Sequence, residues 1–472
     1  MKKSVIIGIV GIIIILGIVG YFYFSDGEQE SFIEEQEILM QGEEWFQQGN
    51  IQDITQFQTK TSKELEDNKI SQMMCLKDIK IEENVGYFLE QNTEVLGLKW
   101  VRLSADWYDW NQVEPSGIYS KYSIEPNQDK LVSDLINKGI TNIMYVLVYW
   151  DEELQYETED YSRFKTEEEI QDYLDYVRFI VSHFKDKIEY YEILNEPNIP
   201  ENTPQDVRVE DYINLVRRVI PVIHEEDPDA KIVVGAVTPL FTDALGSREY
   251  LFSILESDLM PLVDGISWHV GAASPDYELF EDYYYDYPNL VQEIKDTASA
   301  NGFTGEYIAE ELIWRTPVIS TIHEPWVYSN TASAKYYARG IVTHLGLDLF
   351  TGLALESLEE LPLMVRAIRN LCTVMAGATP TDLPIQIQSG AENIKYYTFL
   401  LSNGDKLIAL WTDGIAVDDD SGISVDLTFD GLSGNEVVAV DVLNGYTQFL
   451  VTEGNTIKDL IVRDYPLVIK IK

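Results

Sequence analysis

From about residue 71 the chain alternates between two hydrophobic patterns. One is a short apolar run rich in β-branched and aromatic residues: "KWVRLSA" (99–105), "NIMYVLVYW" (142–150), "EYYEILN" (189–195), "KIVVGAV" (231–237), "GISWHV" (265–270), "EYIAEEL" (306–312) and "GLALES" (352–357). The other has apolar positions recurring every three or four residues, as in "EEEIQDYLDYVRFIVSHF" (167–184), "VEDYINLVRRVIPVIHEE" (209–226) and "TASAKYYARGIVTHLGL" (331–347). Continuous apolar runs alternating with amphipathic helices predict a parallel sheet whose strands are covered on both faces. A further strand is expected near "MCLKDIK" (74–80), ahead of the others. Eight such units across residues 71–378 predict an α/β fold, the (β/α)8 TIM barrel. The structural rival is a doubly wound open sheet. It would usually carry a glycine-rich phosphate turn after its first strand, and none is visible.

Beyond "TVMAGATPTDLP" (373–384) the period shortens. "IKYYTFLLSNGDKLIALWTDG" predicts two strands around a tight Asn403-Gly404-Asp405 turn, and alternating segments continue to "YPLVIKIK". Residues 379–472 are therefore expected to form a small all-β sandwich domain. At the other end, "MKKSVIIGIVGIIIILGIVGYFYF" has two lysines and then about 20 uncharged, mostly apolar residues, enough to cross a bilayer as a helix. A cleaved signal would usually show a shorter apolar region and a small-residue cleavage site. Residues 1–24 are thus expected to be an uncleaved signal anchor, a transmembrane helix. The lysines stay inside and place the bulk of the chain outside the cell membrane. If the segment were cleaved, the protein would be secreted. Residues 25–70 are polar and acidic and are expected to be a stalk containing a helix.

Composition adds constraints on partners. Eighty acidic residues against 34 basic ones give a net charge of −46, which favours a solvated surface and argues against nucleic acid as a partner. The two cysteines, Cys75 and Cys372, have no metal-ligand spacing. A long-range disulfide or two buried thiols remain open.

In a barrel of this kind the C-terminal ends of the strands line the active site. The fourth strand ends on Asn195-Glu196-Pro197, and the seventh offers Glu310 and Glu311. Arg102 lies on the second strand, and the sixth delivers Trp268 and His269. Two carboxyl groups facing each other across a mouth are what glycoside hydrolysis requires. One protonates the leaving oxygen, and the other attacks the anomeric carbon or activates water. Trp107, Trp110, Trp150 and Trp314 lie near strand ends and could stack on sugar faces. This chemistry needs no metal and no organic cofactor.

Asn-Glu-Pro at the end of a fourth strand resembles the clan A glycoside hydrolases, nearest to the family 39 and family 5 types. "WVRLSADWYDWNQVEPSGIYS" also looks like the clan's second-strand segment, with its Arg and its Glu-Pro-x-Gly turn. The resemblance covers residues 71–378 and extends loosely to the β domain. It implies a retaining hydrolase of β-linked oligo- or polysaccharides, with Glu196 as acid/base, Asn195 binding the sugar 2-hydroxyl, and a seventh-strand glutamate as nucleophile. Arg102 would hold that nucleophile charged, and His269 would lie in the cleft. Two alignments of the nucleophile compete. Trp314 three residues downstream selects Glu311, whereas the small Ala309 just before selects Glu310. Strand parity favours Glu311, with Ala309 inside the barrel and Ile308 against the helices.

The chain departs from the pattern in two places. Gly271 stands where the clan often has a tyrosine, with the tyrosines delayed to "YELFEDYYYDYP" (277–288), and the eighth strand runs into "ALESLEE" instead of tryptophan. A transglycosylase using the same residues and a non-catalytic carbohydrate-binding surface protein are the alternative readings.

Overall fold

The computed structural model describes residues 46–47, 54–75, 82–104, 124, 126–148, 163–199, 206–241, 246–317, 326–355 and 358–472. Eight parallel strands close into a barrel in chain order. They are β1 (Ile70–Cys75), β2 (Trp100–Ser104), β3 (Asn142–Leu147), β4 (Tyr190–Ile193), β5 (Lys231–Val237), β6 (Gly265–Gly271), β7 (Glu306–Leu312) and β8 (Phe350–Leu353). A helix follows each: α1 (Glu82–Glu90), α2 (Pro126–Asn137), α3 (Glu167–Phe184), α4 (Val209–Glu226), α5 (Ser247–Leu255), α6 (Glu278–Ala300), α7 (Asn330–Gly346) and α8 (Pro362–Val374). The two end strands differ from expectation. β1 starts at Ile70, ahead of the 74–80 run, because Ser71 and Gln72 interrupt its apolar pattern. β8 starts at Phe350 and ends at Leu353, earlier than the 352–357 run.

The barrel interior is layered. Trp100, Met144, Tyr190, Val233, Ile308 and Phe350 form an apolar cluster separate from the main core, one residue from each of six strands. Their outward-facing neighbours, such as Val101, Tyr191, Ile193 and Ala309, pack with the helices in the large core. This period of two sets what stands two residues nearer the mouth: Arg102 on β2, Glu192 on β4 and Glu310 on β7, all buried. A polar layer therefore sits on an apolar one.

The C-terminal strands are β9 (Ala378–Pro380), β10 (Ile385–Ser389), β11 (Ile394–Leu401), β12 (Lys406–Thr412), β13 (Ile423–Phe429), β14 (Val437–Asp441), β15 (Tyr446–Phe449), β16 (Thr452–Glu453), β17 (Thr456–Val462) and β18 (Leu467–Ile471). One antiparallel sheet runs β15-β14-β18-β12-β11-β9, and a second runs β10-β13-β17-β16. The turn between β11 and β12 is the expected one: Gly404 has φ +92°, and Asp405 N–H donates to Asn403 Oδ1 at 3.0 Å.

Part of the expected stalk is described: its first pieces dock on this domain, and Lys60, Ser62 and Asn68 bond to the barrel. Thr55–Gln56 pairs with β15, Gln47 bridges to Leu460, and Phe46 is buried in the β-domain core. The expected anchor, residues 1–24, lies outside the described residues. Among the described residues no helix is long and apolar enough to cross a membrane. Cys372 is a free, buried thiol.

Candidate active site

β4 ends in an abrupt backbone change. Leu194 has φ +63° and Glu196 has φ +45°, conformations rare for residues with a side chain. The neighbours hold them there. Glu196 N–H donates to Ala236 O at 2.8 Å, and Asn198 is clamped to Thr238 by a bond from Asn198 Nδ2 at 2.7 Å and one back from Thr238 N–H at 2.9 Å. Ala236 is presented by a break in β5, where the register with β6 shifts between Val234 and Val237. Pro197 follows, and the chain leaves the sheet with the Glu196 side chain at the mouth.

β7 uses a similar device. Ile308 points into the barrel and Ala309 packs outside, so plain alternation would turn Glu310 inward and Glu311 outward. The parity expected from the sequence, with Ala309 inside, is therefore corrected. Glu311 has φ +54°, and the pairing with β8 shifts between Ala309 and Leu312. This local irregularity returns Glu311 to the mouth, where its side chain is 23% exposed, while Glu310 remains fully buried beneath it.

The structure brings Glu196, His269 and Glu311 together. His269 Nδ1 lies 3.0 Å from Glu196 Oε1 and 3.3 Å from Glu311 Oε2. One atom from each of the three side chains lies within 4.8 Å of the others. Such proximity could also suit a cation, but Arg102 already supplies positive charge here. Its Nη1 stands 3.3 Å from Glu311 Oε1 and its Nη2 donates to Asn195 Oδ1 at 2.8 Å. Below, Arg102 Nε and Nη2 both donate to Glu192 Oε2, at 2.9 and 2.6 Å, and Ser267 Oγ donates to Glu192 Oε1 at 2.5 Å.

Burial decides the protonation tendencies. It pushes the Glu196 carboxyl up to about 8, against the pull of Arg102. Burial raises Glu311 too, with His269 and Arg102 acting to lower it and Glu196 adding to the rise. His269 is driven down by burial, with the Glu311 carboxylate pulling it back up. Arg102 stays charged because the carboxylates outweigh its own burial. The pair of carboxyls thus has unequal environments, Glu196 with the stronger hold on its proton.

A glycosyl hydrolase family model matches this region. The model of the cellulase family, glycosyl hydrolase family 5, matches residues 88–297, a span that includes Arg102, Glu196 and His269. The likeness to the clan A glycoside hydrolases stands. A family 39 glycoside hydrolase from the gut symbiont Bacteroides cellulosilyticus WH2 shares the fold with TM-score 0.63 and 14% identity, over 88% of this chain and 82% of its own. A family 30 endoxylanase from Clostridium papyrosolvens C71 does so with TM-score 0.58 and 11% identity, over 89% and 99%. A family 5 glycoside hydrolase from Bacteroides vulgatus ATCC 8482 has TM-score 0.53 and 12% identity, over 85% and 89%. No curated protein matches the chain.

The other expected residues of this glycosidase-like barrel fall differently. Trp107, Trp110 and Trp150 lie outside the described residues. Trp314 is only 2% exposed. Its Nε1 donates to Ala273 O at 3.0 Å and its ring stacks on Tyr336, so the indole builds the wall behind Glu311 and presents no open face. Of the delayed tyrosines, Tyr283 and Tyr287 are buried in the helix packing, and Tyr284 donates to Asp413 of the β domain. Glu192 and Ser267 were missed in the sequence. Their signal was present as a lone Glu in "YYEI" and a lone Ser in "GISWHV", polar residues at inward positions of apolar strands.

Proposed function

We propose that the protein is a retaining glycoside hydrolase acting on β-linked oligo- or polysaccharides, with Glu311 as nucleophile and Glu196 as acid/base. The observation that carries this reading is the approach of Glu196 and Glu311 around one histidine, with one carboxyl oxygen or ring nitrogen of each within 4.8 Å of the others. Retaining enzymes hold their carboxyls about 5–5.5 Å apart and inverting ones about 6.5–9.5 Å, to leave room for water. In the first step Glu311 attacks the anomeric carbon while the Glu196 proton passes to the leaving oxygen, breaking the glycosidic bond. In the second, Glu196 takes a proton from water, the water oxygen bonds to the anomeric carbon, and Glu311 is released. Arg102 and His269 favour the charged form of Glu311. Asn195, held by Arg102, would bind the sugar 2-hydroxyl. The apolar run in residues 1–24 supports anchoring in the cell membrane with the barrel outside.

The test is a panel of aryl β-glycosides with good and poor leaving groups. Glu196→Gln is expected to lose about 10²–10⁴-fold in kcat/KM on poor leaving groups and much less on activated ones, since only the former need a proton. Undiminished turnover on the poor leaving groups would reject the acid role. Glu311→Gln is expected to lose turnover on both.

A further inference from the structure

Glu310 has no task in the proposed double displacement. It is fully buried in the layer beneath Glu311, and Gly352 on β8 makes room for it: a Cβ there would stand 3.2 Å from Glu310 Cα and 3.4 Å from its Cγ. No donor reaches either carboxyl oxygen with hydrogen-bond geometry. The Glu310 and Glu192 carboxyls crowd one nitrogen: Arg102 Nε is 3.2 Å from Glu310 Oε2 and 2.9 Å from Glu192 Oε2, and its N–H is directed at Glu192. Two ionised carboxylates at that approach would set acceptor against acceptor in a buried layer. The charge balance is no better. Around this point stand Arg102 from β2, Glu192 from β4, His269 from β6 and Glu310 and Glu311 from β7, with only the backbone of Gly352 from β8. One guanidinium would face three carboxylates.

We propose that Glu310 is a positioning residue that works as a neutral carboxylic acid, donating its proton in a hydrogen bond to Glu192 and so leaving the charge of Arg102 to Glu192 and Glu311. Both burial and the adjacent carboxyls act in that direction, holding the Glu310 proton well above the ordinary carboxylate range. The inference rests on Glu311 being the nucleophile. With its bond from Glu310, Glu192 keeps a fixed grip on Arg102 Nε and Nη2, and Nη1 remains for Glu311. Without that bond, Glu192 draws more strongly on the guanidinium and Glu311 ionises at higher pH.

The experiment compares the parent with Glu310→Gln and Glu310→Leu. Glutamine is neutral and still donates; leucine is neutral and does not. Glu310→Gln is expected to exceed Glu310→Leu by at least about tenfold in kcat/KM, with the acid limb of the pH profile higher in the leucine variant. Were Glu310 ionised, removing its charge would move the acid limb of Glu310→Gln downward, and that shift overturns the inference. An infrared difference spectrum between parent and Glu310→Gln near neutral pH decides the matter even if the leucine variant fails to fold. Loss of a protonated-carboxyl band supports the inference, and loss of a carboxylate band instead overturns it. Glu311→Gln is measured alongside: an inactive Glu311→Gln with a failed Glu310 result leaves the hydrolase reading standing, whereas an active Glu311→Gln rejects the nucleophile and with it that reading.

Discussion

The two mouth glutamates differ by environment more than by type. Glu196 is 6% exposed and keeps its proton up to about pH 8, the state a general acid needs. Glu311 is more open and is faced by Arg102 and His269, which work toward ionisation. The proposed double displacement requires Glu196 protonated and Glu311 ionised, so kcat/KM should follow a bell. The alkaline limb is expected near Glu196's value of about 8, and the acid limb above the ordinary carboxylate range. The two groups interact, so both limbs belong to the pair. A kcat/KM profile that kept rising well beyond pH 8 would contradict the role given to Glu196.

At the scale of the element, chemistry depends on where strands break their own regularity. β5 is the clearest case. Gly235 has φ +117°, and a Cβ there would fall 2.2 Å from Ser267 O. No side chain fits, and the break lets Ala236 O accept from Glu196 N–H while Ala236 N–H donates to Ser267 Oγ. Gly235→Ala should therefore cost about 2–4 kcal/mol, read from the denaturation midpoint, and should lower activity beyond what the stability loss explains. Normal stability in that variant would show that the strand can reroute. β7 makes the same point about legibility. Its two glutamates were plain in the sequence, but alternation alone assigned their neighbours to the wrong faces.

Across the whole molecule, the β domain braces the wall behind β7. Lys335 and Arg339 on α7 are buried, each 2% exposed. Lys335 Nζ lies 2.7 Å from Asp464 Oδ1, and Arg339 Nε donates to Asp464 O at 2.7 Å while its Nη1 reaches Gly414 O. Ala416 N–H donates to Tyr336 Oη at 2.9 Å, and Tyr336 stacks on Trp314. Arg339→Ala would strand the Asp464 and Gly414 carbonyls in this desolvated seam and remove the guanidinium 3.8 Å from Asp413. It should destabilise the protein by about 3–5 kcal/mol, and calorimetry should still show barrel and β domain unfolding together. Separate transitions in the variant would mean that the coupling hangs on Arg339 alone.

The sequence by itself determined the class of fold and pointed to the strand ends that hold the candidate site. Alternating apolar runs and helical patterns can be satisfied together by a covered parallel sheet, and Asn195-Glu196-Pro197 at a strand end marks its mouth. Positive φ values, a register shift and a buried acid beside another acid leave no periodic trace, because they arise from contacts between residues far apart in the chain. Glu192, Glu310 and Arg102 become one network only when β2, β4 and β7 close around the same axis. The docking of Phe46 and Thr55–Gln56 on a domain some 400 residues away was equally invisible, since nothing local distinguishes a strand waiting for that edge from a polar linker.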